Sequence, residues 1–326
     1  MVRHKHKSIM NIYRLLLCAA VLTCACKKDL SLGATDFTVA VENADLSLGD
    51  TARFQLGANP DVLTFYSGEV GHRYVFKDRV EAAGQAILTF RTARENGTQV
   101  QSLKLRVSSD FNGVVKGDTA ATLRNLSAAA WDDISDRALW ASEGEKDINS
   151  GDIDLSDYAA AAKPIFIAFQ YQVAAGSVQD KWTINSFLLK NKLEDGTAYT
   201  IANMNTSTAP FMNYGVSSFS PGFAGYTIQN TYQWAISSSQ LVITGATSTA
   251  WATDSAEAWV FIGPINLRKV TPDIGTAIKG ADENINGSIF SYLYRSKGVF
   301  EAIFTGGSVD VERETKVSKS IRMHIR

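Results

Sequence analysis

The chain has 326 residues, of which 45% are hydrophobic and 20% charged, with 32 basic against 33 acidic side chains. That much apolar residue at near-neutral charge excludes wholesale disorder, and 24 glycines against only six prolines exclude a collagen-like or proline-rich chain. The one long apolar run lies before residue 26, which excludes a bundle of membrane-spanning helices.

Residues 1–14 carry Arg3, Lys5, Lys7 and Arg14 and no acid, and the apolar stretch Leu15 to Leu22 follows. That stretch is too short to span a bilayer and has the layout of a secretory signal. Leu22-Thr23-Cys24-Ala25-Cys26 then resembles a bacterial lipobox, with Cys26 favoured over Cys24 because Ala25 precedes it and Lys27-Lys28 follows. The expected products are a signal peptide over 1–25, lipidation at Cys26 and a polar tether over 26–35. Two or more acyl chains hold a protein on a membrane where one binds only marginally.

Removing residues 1–25 leaves 28 basic and 33 acidic residues, a net charge of −5. No basic stripe with interleaved aromatics is present, so nucleic acid is not an expected partner. All three cysteines, Cys18, Cys24 and Cys26, lie at or before the expected cut, so the body has no disulfide. Of the histidines only His72 and His324 remain, with no thiol nucleophile and no Cys/His zinc spacing. Both histidines read as structural, His72 at a turn and His324 outward on a strand.

The body reads as β throughout. Phe37, Val39 and Val41 alternate with polar or small residues, and so do Ala52, Phe54 and Leu56. Strand-like runs follow at Asp61 to Tyr66 and Tyr74 to Phe76. Ile87 to Thr92 and Leu103 to Val107 are joined across Asn96-Gly97, a strong hairpin signal because both residues accept positive φ. These runs predict a small Ig-like sandwich over 36–108.

Residues 109–267 hold the apolar strands Pro164 to Tyr171, Trp182 to Leu189 and Ala258 to Ile262. Long loops separate them, above all 203–230, and short helical turns are expected at Ser127 to Asp133 and Ser156 to Ala162. This pattern predicts a jelly-roll-like sandwich. Residues 268–326 carry about four further strands, a marginal number for an independent domain. The expected fold is therefore all-β, as tandem β-sandwiches followed by a short β segment.

Asp61 to Glu69 with Gly71-His72, Trp131 to Ser135, Ser150 to Tyr158 and Trp182 to Phe187 resemble motifs of a family of Bacteroidota surface lipoproteins whose domain has no known function. So do Pro272 to Gly275, Tyr292 to Tyr294 and Gly298 to Phe304 in the tail. The tail and the N-terminal sandwich resemble polycystic-kidney-disease (PKD) type domains, and the middle region resembles galactose-binding-like jelly rolls. The resemblance implies a place beside polysaccharide-utilisation systems and brings no active site with it. On that basis the protein is expected to be a non-enzymatic outer-membrane lipoprotein at the cell surface. It would bind polysaccharide or oligosaccharide beside a TonB-dependent transporter complex.

Among chemistry-bearing residues, Trp140, Tyr214, Tyr226, Trp234 and Trp251 lie in or near the loop-rich middle and are the candidate sugar platforms. Trp131, Trp182 and Trp259 read as core. Asp152, Asp154 and Asp157 are weak candidates for a structural Ca²⁺, and no other cofactor is expected. Asp132/Asp133, Asp152/Asp154 and Asp254/Glu257 are the carboxylate pairs a glycoside hydrolase would draw on. The alternative readings are a structural or adhesion spacer that binds a protein partner and, third, such a hydrolase. Replacing Cys26 by alanine is expected to move the protein from the membrane to the soluble fraction and to abolish lipid labelling, as followed by fractionation of expressing cells.

Overall fold

The computed structural model describes residues 36–58, 60–115, 117–205, 222–279, 283–309 and 314–326. Residues 1–35, with Cys26, and Tyr214 lie outside the described residues. The first strands are β1 (Thr38–Val41), β2 (Asp45–Leu46), β3 (Thr51–Gly57), β4 (Val62–Tyr66), β5 (Gln85–Glu95) and β6 (Leu103–Ser108). After helix α1 (Thr119–Ala128) come β7 (Asp132–Asp133), β8 (Ile148–Asn149), β9 (Ile153–Asp154) and helix α2 (Ser156–Ala160). Then follow β10 (Ile165–Val173), β11 (Lys181–Lys192), β12 (Ala198–Asn203), β13 (Ala224–Gln229), β14 (Ala235–Ile236), β15 (Gln240–Thr244) and β16 (Ala256–Ile265). The remaining strands are β17 (Thr276–Lys279), β18 (Ile289–Leu293), β19 (Gly298–Val309) and β20 (Glu314–Ile325). The protein is all-β, as its alternating sequence predicts. Among the described residues no helix is long and apolar enough to cross a membrane.

The chain forms two compact units, and their boundaries differ from those expected. Among the described residues, one unit combines 36–74 with those from Ile274 onward, and the other lies within Val75–Asp273. Neither an N-terminal sandwich ending at 108 nor a separate 268–326 segment forms. The reason is non-local pairing: β18 joins β3, and β19 joins β4. β5 and β6 meanwhile pair with β11 and β10 of the larger unit.

The discontinuous unit has two sheets, of order β1-β3-β18 and β17-β4-β19-β20-β2. Strand β3 shows why its sequence folds this way. Ala52, Phe54 and Leu56 are buried while Thr51, Arg53 and Gln55 between them are exposed, the period-2 pattern of a sheet with one wet face. Phe54, Phe65 and Phe304 meet in the core with ring centroids 4.8–5.6 Å apart, the spacing favoured for aromatic clusters. Buried Glu69 locks the loop after β4 to the turn between β18 and β19. Its carboxylate accepts from the Tyr292 hydroxyl (2.8 Å), the Arg295 and Ser296 amides (2.8 and 3.1 Å) and the Ser296 hydroxyl (2.9 Å).

The larger unit is a second sandwich. One sheet has the order β13-β16-β10-β6-β7, and the other the order β14-β15-β11-β5-β8, with β12 and β9 attached. The continuous apolar run of β10 has a simple cause. Ile167, Phe169 and Tyr171 face the inter-sheet core, while Phe166 and Ala168 on the opposite face join a second cluster with Phe111, Leu126, Trp259 and Phe261. Leu126 comes from α1, whose first turn is capped by the Asp118 carboxylate accepting from the Ala121 amide at 2.8 Å.

Three expectations about this unit change. The runs around Asn96-Gly97 do not form a hairpin: β5 lies in one sheet and β6 in the other, although Asn96 does take positive φ (75°). The first helix lies at 119–128 instead of 127–133. The stretch expected as loop over 203–230 contains β13, paired with β16.

Glu69→Ala removes the acceptor of four donors, the half-buried Tyr292 hydroxyl and three groups of the exposed residues Arg295 and Ser296. It is expected to cost at least about 1–3 kcal/mol of stability, read as a lower urea midpoint in a denaturation curve followed by tyrosine and tryptophan fluorescence.

Candidate functional site

The site grows from a buried polar clasp between the two sheets of the larger unit. Arg94, near the end of β5, donates from Nε to Asp180 Oδ1 at 3.0 Å and from Nη2 to the Gln99 carbonyl at 2.7 Å. The Asp180 side chain is fully buried. Its other oxygen accepts from the Ser102 hydroxyl, which in turn accepts from Trp182 Nε1 at 2.8 Å. The Tyr171 hydroxyl, from the opposite sheet, donates to the Asp180 carbonyl at 2.7 Å, and burial pushes that phenol above its ordinary pKa. Glycine is required at two places around the clasp. A Cβ at Gly97 would lie 2.3 Å from Asp180 Oδ1, and one at Gly245 would lie 2.2 Å from the Tyr171 hydroxyl.

Above this clasp opens a cleft of about 440 Å³, in the range of small-ligand sites. Trp140, Trp182, Leu103 and Ala141 supply its apolar lining, and Arg94, Gln101, Lys104, Asp133, Ser135 and Asp136 its polar lining. Trp140 is half-buried and packs near Phe90 (5.5 Å) and Trp182 (6.1 Å). Its Nε1 donates to the Ser135 carbonyl at 2.8 Å. Both indole N–H groups are thus used within the protein, and a ligand meets ring carbon.

The polar groups divide into engaged and open ones. Burial would raise the Asp133 carboxyl, but hydrogen bonds from the Ser135 hydroxyl and amide, with the charges of Arg106 and Lys104, hold it below its ordinary value. Arg94 is committed to Asp180. The side chains of Gln101, Lys104 and Asp136 make no hydrogen bond or ion pair among the described residues. Gln101 sits at φ 59°, a left-handed conformation that is uncommon for a side chain of this size.

Of the sequence-derived sugar platforms among the described residues, only Trp140 lines this cleft. Tyr226 is buried and stacks on Phe261 at 5.7 Å. Trp234 is buried in the main core with Nε1 donating to the Ala258 carbonyl at 3.3 Å. Neither presents a face to a ligand, because β13 and β14 turn their segment into sheet. Trp251 is 71% exposed, in a turn whose amide bonds to Ser248.

The calcium candidates do not converge. Asp157 forms a two-point pair with Arg137 at 3.0 and 2.7 Å, and this bond holds its carboxyl below the ordinary value. Asp154 is lowered by its bonds to Ser156 and Gln85, while Asp152 is exposed. Among the described residues no group of three or more His, Cys, Asp or Glu that could hold a metal is present.

The carboxylate pairs also diverge. Asp132 accepts from the Tyr158 hydroxyl at 3.0 Å, and burial together with that bond pushes the phenol up to about 12. Asp254 accepts from Thr253, whereas Glu257 bonds Gln170 and Trp259. His72 Nδ1 lies 2.7 Å from the Ile274 carbonyl, and His324 is a half-buried residue of β20.

The sequence reading missed Arg94, Gln101, Leu103, Lys104, Asp136 and the double role of Trp182. Trp182 carries a core signal in its alternation with Ile184, and it also lines the cleft. The others come together only through sheet pairing and leave no local signal.

A family model described as a domain of unknown function, DUF5017, matches residues 25–209, more than half of the chain. The chain belongs to that family. No curated protein and no solved structure matches it.

Asp133, Asp154 and Asp157 all have lowered pKa values in the folded protein. Their ionised forms therefore stabilise the fold above the unfolded Asp pKa of about 3.9, and that contribution is lost as pH falls through the folded values. The urea midpoint is expected to be lower at pH 3 than at pH 7, and Arg137→Gln is expected to shrink the difference.

Proposed function

We propose that this protein is a non-enzymatic, lipid-anchored cell-envelope protein that binds glycan in the cleft lined by Trp140. The observation that carries the reading is the composition of that cleft. A half-buried indole with its N–H already bonded lies beside the Gln101, Lys104 and Asp136 side chains, which make no hydrogen bond or ion pair among the described residues. Sugars present C–H groups that pack on an indole face and hydroxyls that need both donors and acceptors, and this lining offers both.

The lipobox-like Ala25-Cys26 supports a lipid anchor, and the resemblance of the motifs to surface lipoproteins of Bacteroidota supports the outer membrane and the cell surface. On that reading the protein assists polysaccharide capture beside a TonB-dependent transporter complex. The galactose-binding-like character read in the middle of the sequence agrees with a ligand in the 75–273 unit.

The test is a glycan array followed by titration calorimetry on the best ligand. Trp140→Ala is expected to weaken binding by about 1–3 kcal/mol, by analogy with aromatic stacking on bases, or roughly tenfold to over a hundredfold in Kd. Trp251→Ala, outside the cleft, is expected to leave affinity unchanged. Failure to bind any glycan, with capture of a protein partner instead, would replace this reading by that of a spacer.

A further inference from the structure

The cleft contains a feature that side chains alone do not reveal, the open edge of strand β6. Backbone N–H and C=O groups of an antiparallel strand point alternately to its two sides. The Gln172 amide donates to the Ser102 carbonyl at 2.8 Å, so Ser102 and Lys104 direct their backbone groups toward β10. Leu105 directs its own to the other side, where its carbonyl accepts from the Ile134 amide at 3.0 Å and its amide donates to the Ser135 hydroxyl at 2.9 Å. Leu103, two residues earlier, points the same way as Leu105. The covering strand β7 pairs only with Arg106 and Val107, and the chain then turns away through Ser135–Arg137. Among the described residues nothing bonds the Leu103 amide or carbonyl on that side, and Leu103 lines the cleft.

A backbone donor and acceptor in a largely buried residue carry a desolvation cost unless something pairs with them. The open edge is one residue long, too short to accept a peptide strand, which needs a ladder of such pairs. It suits a small molecule with adjacent groups that both donate and accept.

The charges narrow the class. With Arg94 committed to Asp180, and Asp133 to Ser135 and Arg106, the groups without a hydrogen bond or ion pair among the described residues are one cation (Lys104, whose charge also acts on Asp133), one anion (Asp136), one carboxamide (Gln101) and the Leu103 pair. A ligand of single-sign charge meets repulsion as well as attraction there. An uncharged polyol meets only partners.

We propose that the cleft binds a neutral sugar ring, whose neighbouring hydroxyls pair with the Leu103 amide and carbonyl while its C–H face packs on Trp140. This rests on the glycan-binding reading and adds both the charge class and the backbone contact.

The experiment uses the isotope-labelled chain with neutral gluco-, manno- and xylo-oligosaccharides and with oligogalacturonate as the acidic probe. Affinities come from titration calorimetry and single-amide hydrogen exchange from nuclear magnetic resonance. Saturation with a neutral probe is expected to slow exchange at the Leu103 amide about tenfold or more. The Lys104 amide, bonded within the sheet, is expected to exchange slowly with or without ligand. The neutral probe is expected to bind at least about tenfold more tightly than oligogalacturonate.

A neutral probe that binds through Trp140 but leaves Leu103 exchange unchanged overturns the edge contact and leaves the glycan reading intact. Tighter binding of oligogalacturonate overturns the neutral class alone. No binding by any probe overturns both the inference and the reading beneath it.

Discussion

Asp180 is a carboxylate without access to water, set where the two sheets of the larger unit meet. A buried charge persists only when it is paired and its remaining lone pairs are satisfied. Arg94 and Ser102 meet that requirement, and the Tyr171 hydroxyl, from the opposite sheet, donates to the Asp180 backbone carbonyl. Hydrophobic packing between the sheets is strong but non-directional. The clasp is directional, and it sets where β5 and β6 leave the sandwich and how the turn between them runs. The close approach at Gly97 and Gly245 follows from the same constraint.

The cleft is a consequence of that end of the sandwich. Arg94 and Trp182, tied together through Asp180 and Ser102, form part of its lining, while Trp140 comes from the segment after β7. Because β7 is two residues long, sheet coverage stops short of Leu103. Sheet edges in proteins are ordinarily paired or shielded, and here the shield gives way to a small lined space. Strands hold Arg94, Leu103, Lys104, Asp133 and Trp182, whereas Ser135, Asp136, Trp140 and Ala141 come from the segment after β7 and Gln101 sits on the turn before β6 in a left-handed conformation.

The discontinuous unit is held on a different principle. Its core is a cluster of phenylalanines from β3, β4, β18 and β19, brought together from segments far apart in the chain. Closing a long loop costs entropy that grows only slowly with its length, so a large insertion between β4 and β17 is tolerated. Glu69 and Tyr292 add a buried polar tie between the two segments. Membership of the DUF5017 family is a property of residues 25–209, a span that takes in parts of both units.

The sequence by itself determined the all-β class, the absence of disulfide in the body and many strands, though not β13, and Tyr74–Phe76, which reads as strand, is a 3-10 turn. These follow from local rules: the alternation of Ala52, Phe54 and Leu56 needs only the period of a pleat, and a cysteine count needs no coordinates. Partner choice was not legible. Asn96-Gly97 carries a sound local hairpin signal, yet Asp180 and the two sheets claim the flanking strands separately. Trp234 lies in a segment that reads as loop, and pairing of β13 and β14 buries it. Trp140 was singled out by residue type and does line the cleft, but its neighbours Arg94, Lys104 and Asp136 converge only in three dimensions. A pleat is decided by neighbours in the chain. Tertiary structure decided the sheet edges, the buried charges and the cleft, because each depends on residues tens to hundreds of positions apart that only the folded chain brings into contact.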